Sequence, residues 1–378
     1  MKFMQMGDTH VGYRQYGLKQ RETDFSTAFS ESCKLAIKQK VDAVLVTGDI
    51  FETNNPSPAS LNFVRDWFRK LKDKGIEIVG IEGNHDSAAG EILSAIEVPD
   101  VSEYPAEIKG CKIQGIPYVR ADKIPDFLKL VKKDTDILLM HQTLSEVADI
   151  YGDISADDIV AACPSVSYVA LGHIHDARTL GRVTVDGLDV YLTYNGSTEM
   201  NDINESWEKS IPIVTWEKGK SEITLHPVKA RKIEKVVIKE DDDVRALHEE
   251  LKDKAEHLLY IIAKNTLTRQ IASVLKEADK YNILYMMKTV TDVSKVDLSK
   301  IQSWERSRAA IDLKKIIQES FEGLEREGAL VSQLLETPEN MKEITEGYID
   351  ELRESYEVGE DNTGTLQHGE SPTGEIPA

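Results

Sequence analysis

The chain has 378 residues, 40% of them hydrophobic and 30% charged, with a formal net charge of −20. Its length exceeds one ordinary core and predicts two or three domains. Its apolar runs fall short of the ~20 residues that span a bilayer, and its three widely spaced cysteines form no disulfide framework or zinc knuckle. A reducing cytoplasmic setting is expected. The start, MKFMQMGDTH, is interrupted by Asp8 and does not read as a signal peptide. Residues 319–378 carry 16 Asp+Glu against 3 Lys+Arg, −13 of the total, which leaves −7 for residues 1–318. The acidic excess therefore sits mainly on a tail, and the body is free to meet a polyanion.

Along residues 1–230, short β-rich runs alternate with helical stretches. Strands are predicted at Lys2–Met6, Ala43–Thr47, Glu77–Ile81, Ile113–Ile116, Ile137–His141 and Tyr168–Leu171. Helices are predicted near Glu22–Lys38, Pro58–Leu71 and Asp126–Val131. This is the pattern of an α/β layered domain. From Arg182 the chain turns β-rich (Leu188–Tyr194, Ile211–Trp216, Ile223–Val228), which reads as a second sheet packed on the first. Residues 231–293 predict a small βαβαβ domain, and 294–308 a linker. Residues 309–357 predict two amphipathic helices, with Met341, Ile344, Tyr348 and Leu352 on one face of the second. Residues 358–378 have almost no apolar side chains and predict an acidic, disordered tail.

Five short motifs carry chemistry: Gly7-Asp8-Thr9-His10, Gly48-Asp49, Gly83-Asn84-His85-Asp86, His141 and Gly172-His173-Ile174-His175. Most follow directly on an apolar strand, so they are expected to converge on the rim of a sheet at its carboxyl ends. Carboxylate, amide oxygen and imidazole together suit a hard divalent cation. Two such cations with a bridging carboxylate such as Asp49 suit phosphoester hydrolysis. A histidine beside the ligands can protonate the leaving oxygen, and His85 is the candidate. Asp86 either orients His85 or caps the next turn. Five of the nine histidines lie in these motifs, so the set is far more specific than any one member.

In this order the motifs resemble the calcineurin-like metallophosphoesterase superfamily. Asp8-Thr9-His10-Val11-Gly12-Tyr13, Gln15-Tyr16-Gly17-Leu18, Arg21-Glu22-Thr23-Asp24-Phe25, Gly48-Asp49-Ile50-Phe51, His141-Gln142 and Asn195-Gly196-Ser197-Thr198-Glu199 are similar to the archaeal Mre-eleven (SbcD-like) DNA double-strand-break repair nucleases. The resemblance implies a four-layer α/β/β/α metallophosphoesterase sandwich over residues 1–230, a small α/β domain capping it for DNA, and a C-terminal helical pair. It implies two Mn²⁺ per subunit, one on Asp8, His10, Asp49 and His175 and one on Asp49, Asn84, His141 and His173, with His85 as the acid. It further implies 3′-to-5′ exonuclease action on duplex ends, endonuclease action on single strands, and nucleoid association in the cytoplasm. A Rad-fifty-like ABC-type ATPase is expected on the helical pair at 309–357, and a homodimer through the helix near Pro58–Leu71, where Phe63 and Trp67 form a second apolar stripe.

Tyr13, Arg14 and Tyr16, just past the first ligand pair, are candidate DNA contacts, as is the basic run Lys229, Arg231, Lys232, Lys235 and Lys239. A small-molecule phosphoesterase and a weakly catalytic repair scaffold are the alternatives. One position departs from the family pattern. Glu52 stands three residues after Asp49, where a histidine is usual, and it either meets the centre or turns to solvent.

Overall fold

A computed structural model describes residues 1–86, 92–148, 152–185, 188–291 and 293–295. The predicted helical pair, the tail and nearly all of the linker lie outside these residues. In chain order the strands are β1 (Lys2–Met6), β2 (Ala43–Thr47), β3 (Glu77–Ile81), β4 (Ala106–Ile108), β5 (Cys111–Ile116), β6 (Ile137–His141), β7 (Tyr168–Gly172), β8 (Arg178–Val185), β9 (Leu188–Tyr194), β10 (Lys209–Glu217), β11 (Lys220–Val228), β12 (Ile233–Ile238), β13 (Leu258–Lys264) and β14 (Leu284–Val290). The α-helices are α1 (Lys19–Gln39), α2 (Pro58–Lys72), α3 (Ile92–Ala95), α4 (Ile124–Leu128), α5 (Ser145–Ala148), α6 (Ala156–Ala162), α7 (Asp241–Glu250) and α8 (Thr268–Leu275).

Two sheets face one another. One runs β11-β10-β1-β2-β3 and the other β4-β5-β6-β7-β9-β8. β1, β2 and β3 are parallel (Met4 opposite Val44, Val46 opposite Gly80), and so are β5, β6, β7 and β9. Each central strand is buried on both faces, which is why its sequence is a continuous apolar run. Successive side chains point to opposite faces. Met4, Met6, Val44 and Val46 pack with Phe29, Val64, Phe68 and Leu71 of α1 and α2. Phe3, Ala43, Leu45 and Val79 instead meet Ile113, Ile137, Leu139 and Tyr168 between the sheets. On the far side, α4 and α6 cover the second sheet through Ile124, Leu128, Ile159 and Val160. The result is the predicted α/β/β/α sandwich. One polar residue crosses its middle: Gln5 donates to the carbonyls of Leu171 (2.9 Å) and Thr193 (2.8 Å) and accepts from the Tyr168 hydroxyl (2.9 Å), which ties the sheets together.

Two sequence expectations are corrected. The β-rich stretch after Arg182 does not form its own sheet. β8 and β9 complete the second sheet, whereas β10 pairs antiparallel with β1 (Phe3 opposite Val214) and extends the first. The strands before Arg182 likewise divide, β1–β3 in one sheet and β4–β7 in the other. Apolar runs buried on both faces look alike in either sheet, so local pattern cannot assign them.

Residues 231–293, the small domain of the sequence reading, belong to the same compact unit as the sandwich, Met1–Val296, and their elements follow the predicted order. β12, β13 and β14 form a parallel sheet, with α7 and α8 supplying the crossovers. α2 is capped by the Ser57 side chain, which accepts from the Ser60 amide, with Pro58 in its first turn. Its buried stripe is Val64, Phe68 and Leu71. Phe63 and Trp67 are half-buried on the same core cluster, with the Phe63 ring 6.0 Å from that of Phe29 on α1.

A polar seam joins the small domain to the core. Arg21 is fully buried and donates to Gln15 (2.9 Å), Asp24 (2.9 Å) and the Met200 carbonyl (2.9 Å), with Glu199 at 3.3 Å. Arg231 reaches Asp24 from the other side at 2.6 Å, and donates to the carbonyls of Glu256 and Asn282. Met200, Ile233 and Leu258 pack beside them with Tyr16 and Leu284. Arg231 is thus a structural pin and not a solvated member of a basic stripe.

Candidate metal centre

The motif residues sit at or just past the carboxyl ends of β1, β2, β3, β6 and β7, so the rims of both sheets build the site, and not one rim alone. Four of the non-glycine residues among them have left-handed backbone: Asp8 (φ 50°), His10 (φ 43°), Asp49 (φ 51°) and His173 (φ 86°). Such strain persists only where the surroundings hold it, and it collects at functional sites. Gly83 makes room at the crowded centre: a Cβ there would overlap the Asp49 carboxylate.

Two donor sets converge. In the first, Nε2 of His10 and Nε2 of His175 approach to 3.3 Å, and Nε2 of His175 lies 3.8 Å from Oδ1 of Asp8. In the second, Oδ1 of Asn84 lies 3.0 Å from both Nε2 of His141 and Nδ1 of His173, and Nε2 of His141 lies 3.3 Å from Oδ2 of Asp49. Asp8, His10 and His175 form one group able to hold a cation, Asp49, His141 and His173 another, and His10, Glu52 and His85 a third that shares His10 with the first. Asp8, Asp49 and His141 are buried almost completely.

The electrostatics fit cations. Burial alone would raise the Asp49 carboxyl, but His141, His10 and His85 hold it far below the usual carboxylate range. Burial would lower His141, but Asp49 lifts it to about 9. Burial and the charge on His141 push His173 down to about 4. His141 thus keeps a proton more firmly than a free imidazole and His173 less firmly, and a cation binding at these nitrogens would have to displace any proton they hold. The donor set of carboxylate, amide oxygen and imidazole suits a divalent metal.

The residues around the ligands position them. Asp8 accepts from the His173 amide (3.1 Å) and from Nδ2 of Asn195 (2.9 Å). Nδ1 of His141 meets the Thr47 carbonyl at 2.7 Å. Nδ1 of His175 meets Oε1 of Glu205 at 2.7 Å, and Glu205 also takes Lys209 at 2.7 Å. Burial would raise Glu205, but His175 and Lys209 keep it well below its usual range. Glu52 turns inward, its Oε2 3.0 Å from Nδ1 of His10. His85 donates its amide to Asp49 (2.8 Å), and its Nδ1 lies 2.7 Å from the Glu52 carbonyl. A carbonyl only accepts, so Nδ1 carries the proton and the ring's other nitrogen is left to exchange one.

Asp86 does not touch the His85 ring in these contacts. Its carboxylate accepts from the amides of Ile50, Phe51 and Gly83, tying the Asn84 loop to the Asp49 loop. Burial and the neighbouring Asp49 charge lift it to about 7. Of the residues past the first motif, Tyr13 packs on Phe25 (5.3 Å) and Tyr16 on Tyr260 of the small domain (5.5 Å), while exposed Arg14 pairs with Glu22 at 3.1 Å. Lys229 pairs with Glu256 at 2.8 Å.

Sequence reasoning gave no structural role to Asn195 or Glu205. Asn195 directly follows the apolar run of β9, the same strand-end signal that marked the ligands. Glu205 lies in a polar loop where nothing in its neighbours sets it apart.

Residues 1–177 match the family model described as calcineurin-like phosphoesterase. The chain is similar to the "DNA double-strand break repair protein Mre11" of Sulfurisphaera tokodaii, with 33% identity over 195 residues covering 47% of this chain and 49% of that protein. It is similar to the same-named protein of Archaeoglobus fulgidus, with 27% identity covering 54% and 52%. To that of Methanosarcina acetivorans it shows 28% identity over 282 residues, covering 69% and 45%. The chain thus spans about half the length of these curated relatives. Among solved structures, a dimetal phosphatase from Danio rerio aligns at 11% identity and TM-score 0.43, covering 61% of this chain and 97% of that one, a likeness too low to argue from. Among the described residues no helix is long and apolar enough to cross a membrane. Residues 1–177, which carry the two converging donor sets, thus match the calcineurin-like phosphoesterase model, and the chain is similar to archaeal Mre11 proteins.

Proposed function

We propose that this protein is a manganese-dependent DNA nuclease of double-strand-break repair, acting as a 3′-to-5′ exonuclease on duplex ends and as an endonuclease on single strands. The observation that carries the reading is the convergence of two donor sets with His85 beside them, in a chain whose relatives are named as DNA double-strand break repair proteins. Asp8, His10 and His175 would hold one divalent cation and Asn84, His141 and His173 the other, with Asp49 shared. Bound there, the pair would polarise the phosphodiester and provide a nucleophile at neutral pH.

The chain's own residues do the rest. Asn195 and the His173 amide hold the Asp8 carboxylate in place, and the Thr47 carbonyl sets the His141 ring. His85, fixed through Nδ1, delivers a proton from Nε2 to the leaving oxygen. Tyr13, Arg14 and Tyr16 border the site as DNA contacts. A phosphate reaching Arg14 would have to compete with Glu22 for its guanidinium.

The same reading gives the chain its partners and setting. The small domain caps the site and orients DNA. A homodimer forms through α2, using the surface of Phe63 and Trp67 that α1 leaves uncovered. A Rad-fifty-like ATPase docks on 309–357, and the complex works on the nucleoid in the cytoplasm.

The test is Mn²⁺-dependent turnover of duplex DNA, single-stranded DNA and bis-p-nitrophenyl phosphate by the wild type and by Asp8→Ala. Cleavage of both DNAs by the wild type alone is expected. Turnover of only the small ester would replace this reading with a small-molecule phosphodiesterase.

A further inference from the structure

The two donor sets are backed differently. Behind the first, each imidazole meets a carboxylate on its outer nitrogen: His10 meets Glu52 at 3.0 Å and His175 meets Glu205 at 2.7 Å. A carboxylate only accepts, so Nδ1 of each ring carries the proton and Nε2 offers its lone pair inward, where the two Nε2 atoms lie 3.3 Å apart. Behind the second set, His141 meets a neutral carbonyl, and the oxygen shared by His141 and His173 is the neutral amide of Asn84.

Both glutamates are fixed. Glu205 is buried and accepts from Lys209 (2.7 Å) and from the Asn201 amide (3.0 Å). Glu52 is about a quarter exposed at 26%, and its carbonyl takes Nδ1 of His85. A carboxylate behind a ligating imidazole sets the ring's tautomer and orientation and raises its basicity.

We infer that Glu52 and Glu205 are positioning residues that make the Asp8–His10–His175 half the tighter of two cation sites, so that the centre fills in order with this half first. The inference rests on reading these donors as metal ligands and is independent of which phosphoester is cleaved.

The experiment titrates the full chain with Mn²⁺ alone, following heat by calorimetry and bound ions by electron paramagnetic resonance. Circular dichroism checks that each variant is folded. Asn84→Ala leaves the first half intact, and His10→Ala leaves the second. The ion kept by Asn84→Ala is expected to bind at least about ten-fold more tightly than the ion kept by His10→Ala, the scale on which outer-shell partners act. Adding Glu52→Gln to Asn84→Ala weakens that ion about ten-fold, and Glu205→Gln does the same. Adding Glu52→Gln to His10→Ala changes nothing.

Equal affinities in the two single variants would overturn the inference, as would a Glu52→Gln effect of the same size in both backgrounds. A third ion bound by the wild type and lost in Glu52→Gln would overturn it too, making His10, Glu52 and His85 a site of their own. No ion bound by the wild type would overturn the metal-centre reading itself. Two unequal ions without DNA cleavage would overturn only the choice of substrate.

Discussion

In the small domain, Glu234 meets Lys254 at 2.7 Å and His257 at 3.1 Å, and Glu277 meets Lys280 at 3.0 Å. Each of these charges has an opposite neighbour, most are partly exposed, and pairs of this kind stabilise weakly. The rim of the core is built the other way. His10 and His175 turn nitrogen toward nitrogen, and Asn84 points one oxygen at two imidazoles, in a setting largely closed to water. These pairs in the small domain neutralise each other and hold structure. Asp49 and His141 are complementary at 3.3 Å, but at the other two contacts acceptor faces acceptor, and a cation between them would complete the pattern. The same residue types thus serve structure in one region and binding in the other, depending on whether their neighbours are complementary.

The largest effect that separates the regions is expected at His85. His85→Ala should lower turnover of bis-p-nitrophenyl phosphate by about 10²- to 10⁴-fold, the contribution of a positioned general acid, with the number of bound ions unchanged. Glu277→Gln in the small domain should leave the rate alone. If the ion count falls in step with the rate, His85 is a ligand and the division of roles at the rim is wrong.

Arg231→Ala tests the seam between the regions. Its side chain is only 8% exposed and leaves Asp24 and two carbonyls behind. Loss of one partner of such a buried pair should cost about 3 kcal/mol in urea unfolding. A loss within ~0.5 kcal/mol, as at an ordinary surface site, would make Arg231 a solvated cation and return it to the basic stripe.

The smallest effect is on pH dependence. Burial would raise Glu234, but Lys254 and His257 hold its carboxyl below the ordinary 4.5. A depressed carboxyl contributes stability above its unfolded value and loses it as pH falls through the folded value. Amide protection in β12–β14, taken relative to the intrinsic exchange rate at each pH, should therefore fall below pH 4.5 in the wild type, and less so in Glu234→Gln. Equal acid sensitivity in the two would show that this pair contributes nothing to the domain.

Much of this architecture was legible in the chain. The continuous apolar runs gave the strands, and the period of Val64, Phe68 and Leu71 gave the buried face of α2, because burial pattern and strand length are local properties. The small domain was predicted almost strand for strand, since its crossovers alternate strictly. The candidate ligands were legible because each follows a strand end. The division of strands between two sheets was not, since β10 finds β1 across more than two hundred residues and a buried run carries no label for its partner. Arg21 illustrates the same limit. Its sequence neighbours suggest a helix surface, yet it is fully buried because Gln15, Asp24 and the Met200 carbonyl surround it.

By itself the sequence determined the set of candidate ligands and the order in which the strands present them, for these depend on residue type and on what immediately precedes each one. Only the tertiary structure decided that two rims build the centre, that Asp8, His10, Asp49 and His173 take left-handed backbone, and that Asp86 ties loops together instead of orienting His85. It also decided that Glu52 and Glu205 turn inward behind His10 and His175. A carboxylate in a loop has no periodicity to reveal its direction, and the imidazole it meets lies far away in the chain.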